Sequence, residues 1–137
     1  MSKDEEKFES MRWASPERIR YEVEHHPYFS RYGEWKSRNP NIVSGFRRLV
    51  LMCLERGKFF GISLITERLR WDFHFDYDES KEEFKISNSH RAIIIRELML
   101  EFPKLLTLCR IKRLSFSEPY FDDDGKPVTN QLQGELL

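Results

Sequence analysis

The stretch from Asn39 to Pro103 constrains the fold most, because apolar residues recur in it at helical spacing on both sides of a charged, aromatic segment. Ile42, Phe46, Leu49, Val50, Cys53 and Leu54 lie three or four residues apart, which aligns them along one stripe of a helix. Asn39-Pro40 predicts the start of that helix and Arg56-Gly57 its end, since proline suits the first helical turn and glycine the position past the last. Ser63 predicts the cap of a shorter helix to about Trp71, with Ile62, Ile65 and Leu69 inward. Ser87, Asn88 and Ser89 offer caps for a third helix bearing Ile94, Ile95, Leu98, Met99 and Phe102, which Pro103 closes.

Between the second and third of these helices the period changes. Phe73, Phe75 and Tyr77 alternate with His74 and Asp76, Asp78 to Glu83 is polar, and Phe84-Lys85-Ile86 resumes the alternation. A period of two across a polar turn predicts a β-hairpin. Residues 108–116 predict a third strand, with a helical turn as the alternative. The expected fold is therefore α+β and mainly helical. Its core is winged-helix-like, and its first two helices are joined as in a helix-turn-helix unit.

An N-terminal helical extension precedes this core. Ser15-Pro16-Glu17 is a helix start, Ile19 and Val23 mark its apolar side, and Pro27 predicts a stop near His26. Residues 3–13 read either as a frayed helix with Phe8 and Met11 on one side or as a disordered start. From Ser117 onward, acids and prolines predict a flexible tail. One globular domain over residues 1–116 is expected, since a chain of 137 residues is the size of a single core.

Composition excludes several function classes. No run of 18 apolar residues exists and the first residues are charged where a signal peptide is apolar, so the expectation is a cytoplasmic protein with no membrane partner. Cys53 and Cys109 sit in apolar runs and read as reduced, buried thiols. His25 and His26 are adjacent, so their side chains diverge on a helix, and Asp122-Asp123-Asp124-Gly125 lacks the length and final glutamate of a calcium loop. No phosphate-binding glycine loop or nucleophile triad is visible. No metal, no cofactor and no enzymatic activity are expected.

The sharpest catalytic candidate is Asp76 or Asp78 followed by Glu83 and Lys85, which resembles the acid-then-acid-x-lysine pattern of restriction-endonuclease-like nucleases. Such a set could hold Mg²⁺ and stabilise a phosphate. Charges that keep a turn soluble are the plainer reading.

Charge distribution points elsewhere. The formal net charge is zero, yet residues 42–71 carry six basic and two acidic side chains and residues 84–113 seven and two, while residues 72–83 and 117–137 are acidic. Arg47, Arg48, Lys58, Arg68 and Arg70 are the expected phosphate contacts of the first basic block. Tyr28, Phe29, Tyr32 and Trp35, beside Arg31, Lys36 and Arg38, form an aromatic segment that reads as a lid on the core or as a docking surface.

Asn39-Pro40, Arg56-Gly57, Arg70-Trp71, Phe84-Lys85-Ile86 with Asn88, Arg96 and Phe102-Pro103 resemble a group of small uncharacterised proteins from bacteriophage and prophage genomes. The resemblance spans about residues 39–103. Ser87 departs from it where that group has asparagine, and Leu-Thr-Leu-Cys-Arg follows the proline in place of an aromatic, basic segment. It implies a phage or mobile-element origin and a bacterial host cell. The expected function is a nucleic-acid-binding accessory factor. The alternative is a protein-binding adaptor or an inhibitor of a host complex.

Overall fold

The computed structural model describes residues 11–76 and 84–128. Local sequence sets most of its helix ends. α1 (Pro16–Glu24) starts at Ser15, whose hydroxyl accepts from the Arg18 N–H at 3.1 Å, with a proline in the first turn. α2 (Phe29–Arg38) holds most of the aromatic segment, and α3 (Pro40–Arg56) follows it at once. Gly57 ends α3 in the left-handed region at φ 61°, a conformation that penalises any residue with a Cβ. α4 (Ile62–Asp76) and α5 (Asn88–Glu101) complete the helices. Ser87 caps α5: its hydroxyl accepts from the His90 N–H and its own N–H donates to His90 Nδ1, both at 3.2 Å. Pro103–Thr107 and Ser115–Tyr120 form 3-10 segments.

α5 is the centre of the packing. Ile93, Ile94, Ile95, Leu98 and Met99 are all buried, more than one stripe can hold, as on a helix covered from several sides. α1 runs against it, α2 bridges α3 and α5, and α3 packs on α4. Gly45 permits that last approach, because a Cβ there would lie 2.5 Å from Leu69 Cδ1.

The expected winged-helix-like α+β fold is overturned. Among the described residues there is no strand and no sheet, only the isolated bridges Phe60 with Cys109 and Phe121 with Pro127. Where the hairpin was expected to begin, α4 continues to Asp76. Phe73 follows Leu69 by four residues and extends the buried line of Ile65, Thr66 and Leu69, while Trp71 and Phe75 lie outside. Aromatic residues on both faces of a helix thus imitate the alternation of a strand. The expected polar turn at Asp78 to Glu83 lies outside the described residues, and residues 84–87 form an irregular lead into the α5 cap. The third strand reduces to one contact, in which the Phe60 N–H donates to the Leu108 carbonyl at 3.0 Å.

The acidic segment expected as a tail is described as far as Val128, and its residues from Ser117 to Gly125 meet α1 and its cap. Ser117 and Phe121 are buried. Gly125, at φ 74°, lies where a Cβ would collide with the Trp13 carbonyl, and Ser15 Oγ donates to its carbonyl at 2.5 Å. A buried ionic cluster fastens this segment. Glu22, Arg18 and Ser117 have no solvent exposure and Arg96 has 2%. Arg96 donates to Glu22 at 2.8 Å and to the carbonyls of Ala92 and Lys112 at 3.0 and 2.6 Å. The second Glu22 oxygen accepts from the Leu114 N–H at 2.9 Å and from Ser117 Oγ at 2.6 Å. Arg18 donates to Ser117 Oγ at 3.0 Å and to the Asp122 carbonyl at 3.3 Å, and it meets the Glu118 carboxylate at 3.5 Å. Buried charges persist in proteins when they are paired in this way. Among the described residues no helix is long and apolar enough to cross a membrane.

Candidate docking face on helix α4

The five expected phosphate contacts do not form one open basic surface. Arg47 turns toward α5 and makes a bidentate pair with Glu101 at 2.6 and 2.7 Å, which raises the arginine pKa and lowers that of the carboxylate. Arg48 and Arg68 converge on Asp72 at 3.3 and 3.1 Å. Arg70 meets Glu67 at 3.5 Å and lies over the Phe84 ring at 5.0 Å, on the other side of α4. Lys58 is exposed in the connection between α3 and α4. Four of the five cations therefore already face a carboxylate, which lowers the positive field available to phosphates.

The expected aromatic docking set divides as well. Tyr32 is buried at 4% exposure and its hydroxyl donates to Glu97; burial, then that bond, raises its pKa. Trp35 stacks on His90 at 4.0 Å and donates to the Lys85 carbonyl at 3.2 Å. Both rings thus fix α2 to α5 and its cap. Tyr28 and Phe29 are exposed, with the Arg31 guanidinium 5.5 Å from the Tyr28 ring.

Of the nuclease candidates, Asp78 and Glu83 lie outside the described residues, Asp76 ends α4, and Lys85 sits in the lead into α5. Asp122 Oδ1 accepts from the N–H groups of Asp124 and Lys126 at 2.9 Å each, the hydrogen-bonding of a tight turn. No group of three metal-ligating side chains occurs among the described residues. Burial pushes the Cys109 thiol up to about 12 and raises that of Cys53, the opposite of what a thiolate nucleophile requires. A cleft of about 290 Å³ lined by Tyr32, Lys36, Arg47, Glu97 and Glu101 has its charges paired across it.

What the structure leaves uncovered is the outer face of α4. Leu64, Trp71 and Phe75 are 63%, 63% and 62% exposed, and the Trp71 and Phe75 rings touch at 4.8 Å between centroids. Arg68 lies between them along the same line, its side chain 61% exposed. Isolated apolar residues on a surface are ordinary, but a tryptophan in contact with a phenylalanine, with an exposed arginine and leucine on the same helix face, has residue types enriched at interface centres. The spacing of Leu64, Arg68, Trp71 and Phe75 was visible in the sequence; the hairpin reading assigned Phe75 to a strand and so broke the line. Compared with protein-family models, curated proteins and solved structures, the chain matches none.

Proposed function

We propose that this chain is a protein-binding accessory factor that docks through the outer face of α4. The observation that carries the reading is the equal, high exposure of Leu64, Trp71 and Phe75 on one helix whose opposite face is fully buried. A helix presented in this way offers aromatic and aliphatic anchors at helical spacing, the form used in helix-to-helix recognition. The resemblance to bacteriophage proteins implies the cytoplasm of a bacterial host as its setting and supports reading the factor as an adaptor or an inhibitor of a host or phage complex.

One observation favours nucleic acid as a second reading: Arg48 and Arg68 share the single carboxylate of Asp72, which leaves one positive charge in excess there. Fluorescence anisotropy with duplex and single-stranded DNA at low salt separates the two. The docking reading predicts no binding at micromolar protein. Binding that weakens with a log-log salt slope of about −0.9 per phosphate contact, and that is lost in Arg48→Ala with Arg68→Ala, would restore nucleic acid to first place.

A further inference from the structure

The pattern along α4 reads the same in both directions. From Leu64 to Arg68, Trp71 and Phe75 the steps are four, three and four residues. Leu64 and Trp71 are seven apart, as are Arg68 and Phe75, the repeat of a seam between two paired helices. We infer that the occupant of this face is a second copy of the chain, with its α4 antiparallel across a two-fold axis. The inference rests on the docking reading above.

Arg68 sets the orientation. In a parallel pair it would face Arg68 of the second copy, two like charges in a closing seam, and a charged residue in such a seam selects against that register. In the antiparallel pair centred between Leu69 and Arg70, Leu64 meets Phe75 of the second copy and Arg68 meets its Trp71. A guanidinium over an indole is a favourable contact. Arg68 is already held on this face, because Asp72, on the same helix and 14% exposed, accepts from Nε at 3.1 Å while the arginine side chain stays 61% exposed.

Charge favours a second copy over a strongly acidic or basic partner. One flank of the seam holds Arg48 and Arg68 around Asp72, the other the Glu67–Arg70 pair at 3.5 Å. The first flank keeps one positive charge in excess and the second is balanced, so neither carries more than one unpaired charge and two identical faces approach with little repulsion. A pair of 15-residue helices is a small interface, at or below about 1,200 Å² in total, which makes the dimer reversible and concentration-dependent.

Sedimentation equilibrium of the full chain from micromolar to submillimolar concentration tests this. The mass should rise from 16.6 kDa toward twice that value. Trp71→Ala should raise the dimer dissociation constant by about 30-fold or more, the effect of losing a central anchor. The side chain is exposed, so the variant should remain folded, which circular dichroism checks. An equal mixture of wild type and Arg68→Glu tests the orientation: the antiparallel pair predicts a mixed dimer no tighter than the wild-type one, whereas a tighter mixed dimer means parallel pairing and overturns the assignment. A monomer throughout, or a dimer indifferent to Trp71, overturns it too. If such a monomer still forms a Trp71-dependent cross-link to another protein, only the second copy fails; if it forms none, the docking reading fails with it.

Discussion

Glu22 joins elements that are far apart in the chain, since its two oxygens hold Arg96, Ser117 and the Leu114 N–H. Glu22→Gln removes the one fully buried carboxylate beside Arg18 and Arg96, and breaking a buried pair from one side costs about 3–5 kcal/mol. A urea midpoint that falls accordingly is expected; a shift worth under about 1 kcal/mol would contradict the cluster's role. His90 gives a separate, pH-dependent expectation. Burial lowers its pKa from 6.5, so the folded chain binds fewer protons than the unfolded one. Stability is then complete above pH 6.5 and declines as pH falls from there toward the lowered folded value. Protonation also carries a structural consequence, because Nδ1 accepts from the Ser87 N–H and cannot do so once protonated. His90→Gln keeps an acceptor at the capping position and does not titrate. It should flatten part of the decline in the urea midpoint between neutral pH and pH 5, to which His26, whose pKa burial also lowers, contributes as well. An unchanged slope would exclude His90.

Helix phase on α4 makes a sharper distinction than any single contact. A strand would turn Trp71, Phe73 and Phe75 to one side, whereas the helix buries Phe73 at 6% and leaves Phe75 at 62%. In dilute protein, Phe73→Ala should destabilise by about 3–5 kcal/mol and Phe75→Ala by no more than about 0.5 kcal/mol. Thermal unfolding of both variants checks it, and equal losses would return the hairpin. α1, α3 and α5 were legible in the sequence because their ends carry local signals, Ser15-Pro16, Asn39-Pro40 with Gly57, and Ser87 with Pro103. The end of α4 carried none. Its outer aromatics also matched the period of a strand, so local pattern favoured the wrong element. The buried cluster was illegible for another reason: Glu22 lies 74 residues from Arg96 and 95 from Ser117, and no local spacing joins them. The same partners explain why an acidic segment that reads as a tail is packed on α1.

Across the molecule, most arginines of the first basic block visible in the sequence meet carboxylates, Arg47 that of Glu101 and Arg48 that of Asp72 on other helices, Arg68 and Arg70 those of Asp72 and Glu67 on α4 itself. Charge alone therefore does not single out a surface, and the proposed docking face rests instead on the exposed apolar residues of α4. Part of the candidate site was present in the sequence as Arg68, Arg70-Trp71 and the basic residues near them, but their roles depended on which face of α4 each one occupies. Only the fold separates Arg70, beside Phe84, from Arg68, in line with Trp71. Site-specific photo-cross-linking from position 75 of the full chain in bacterial cells tests the central claim most directly. A discrete protein adduct, at twice the monomer mass if the second copy is the occupant and lost in Trp71→Ala, is the predicted result; an adduct to nucleic acid, or none, would contradict it.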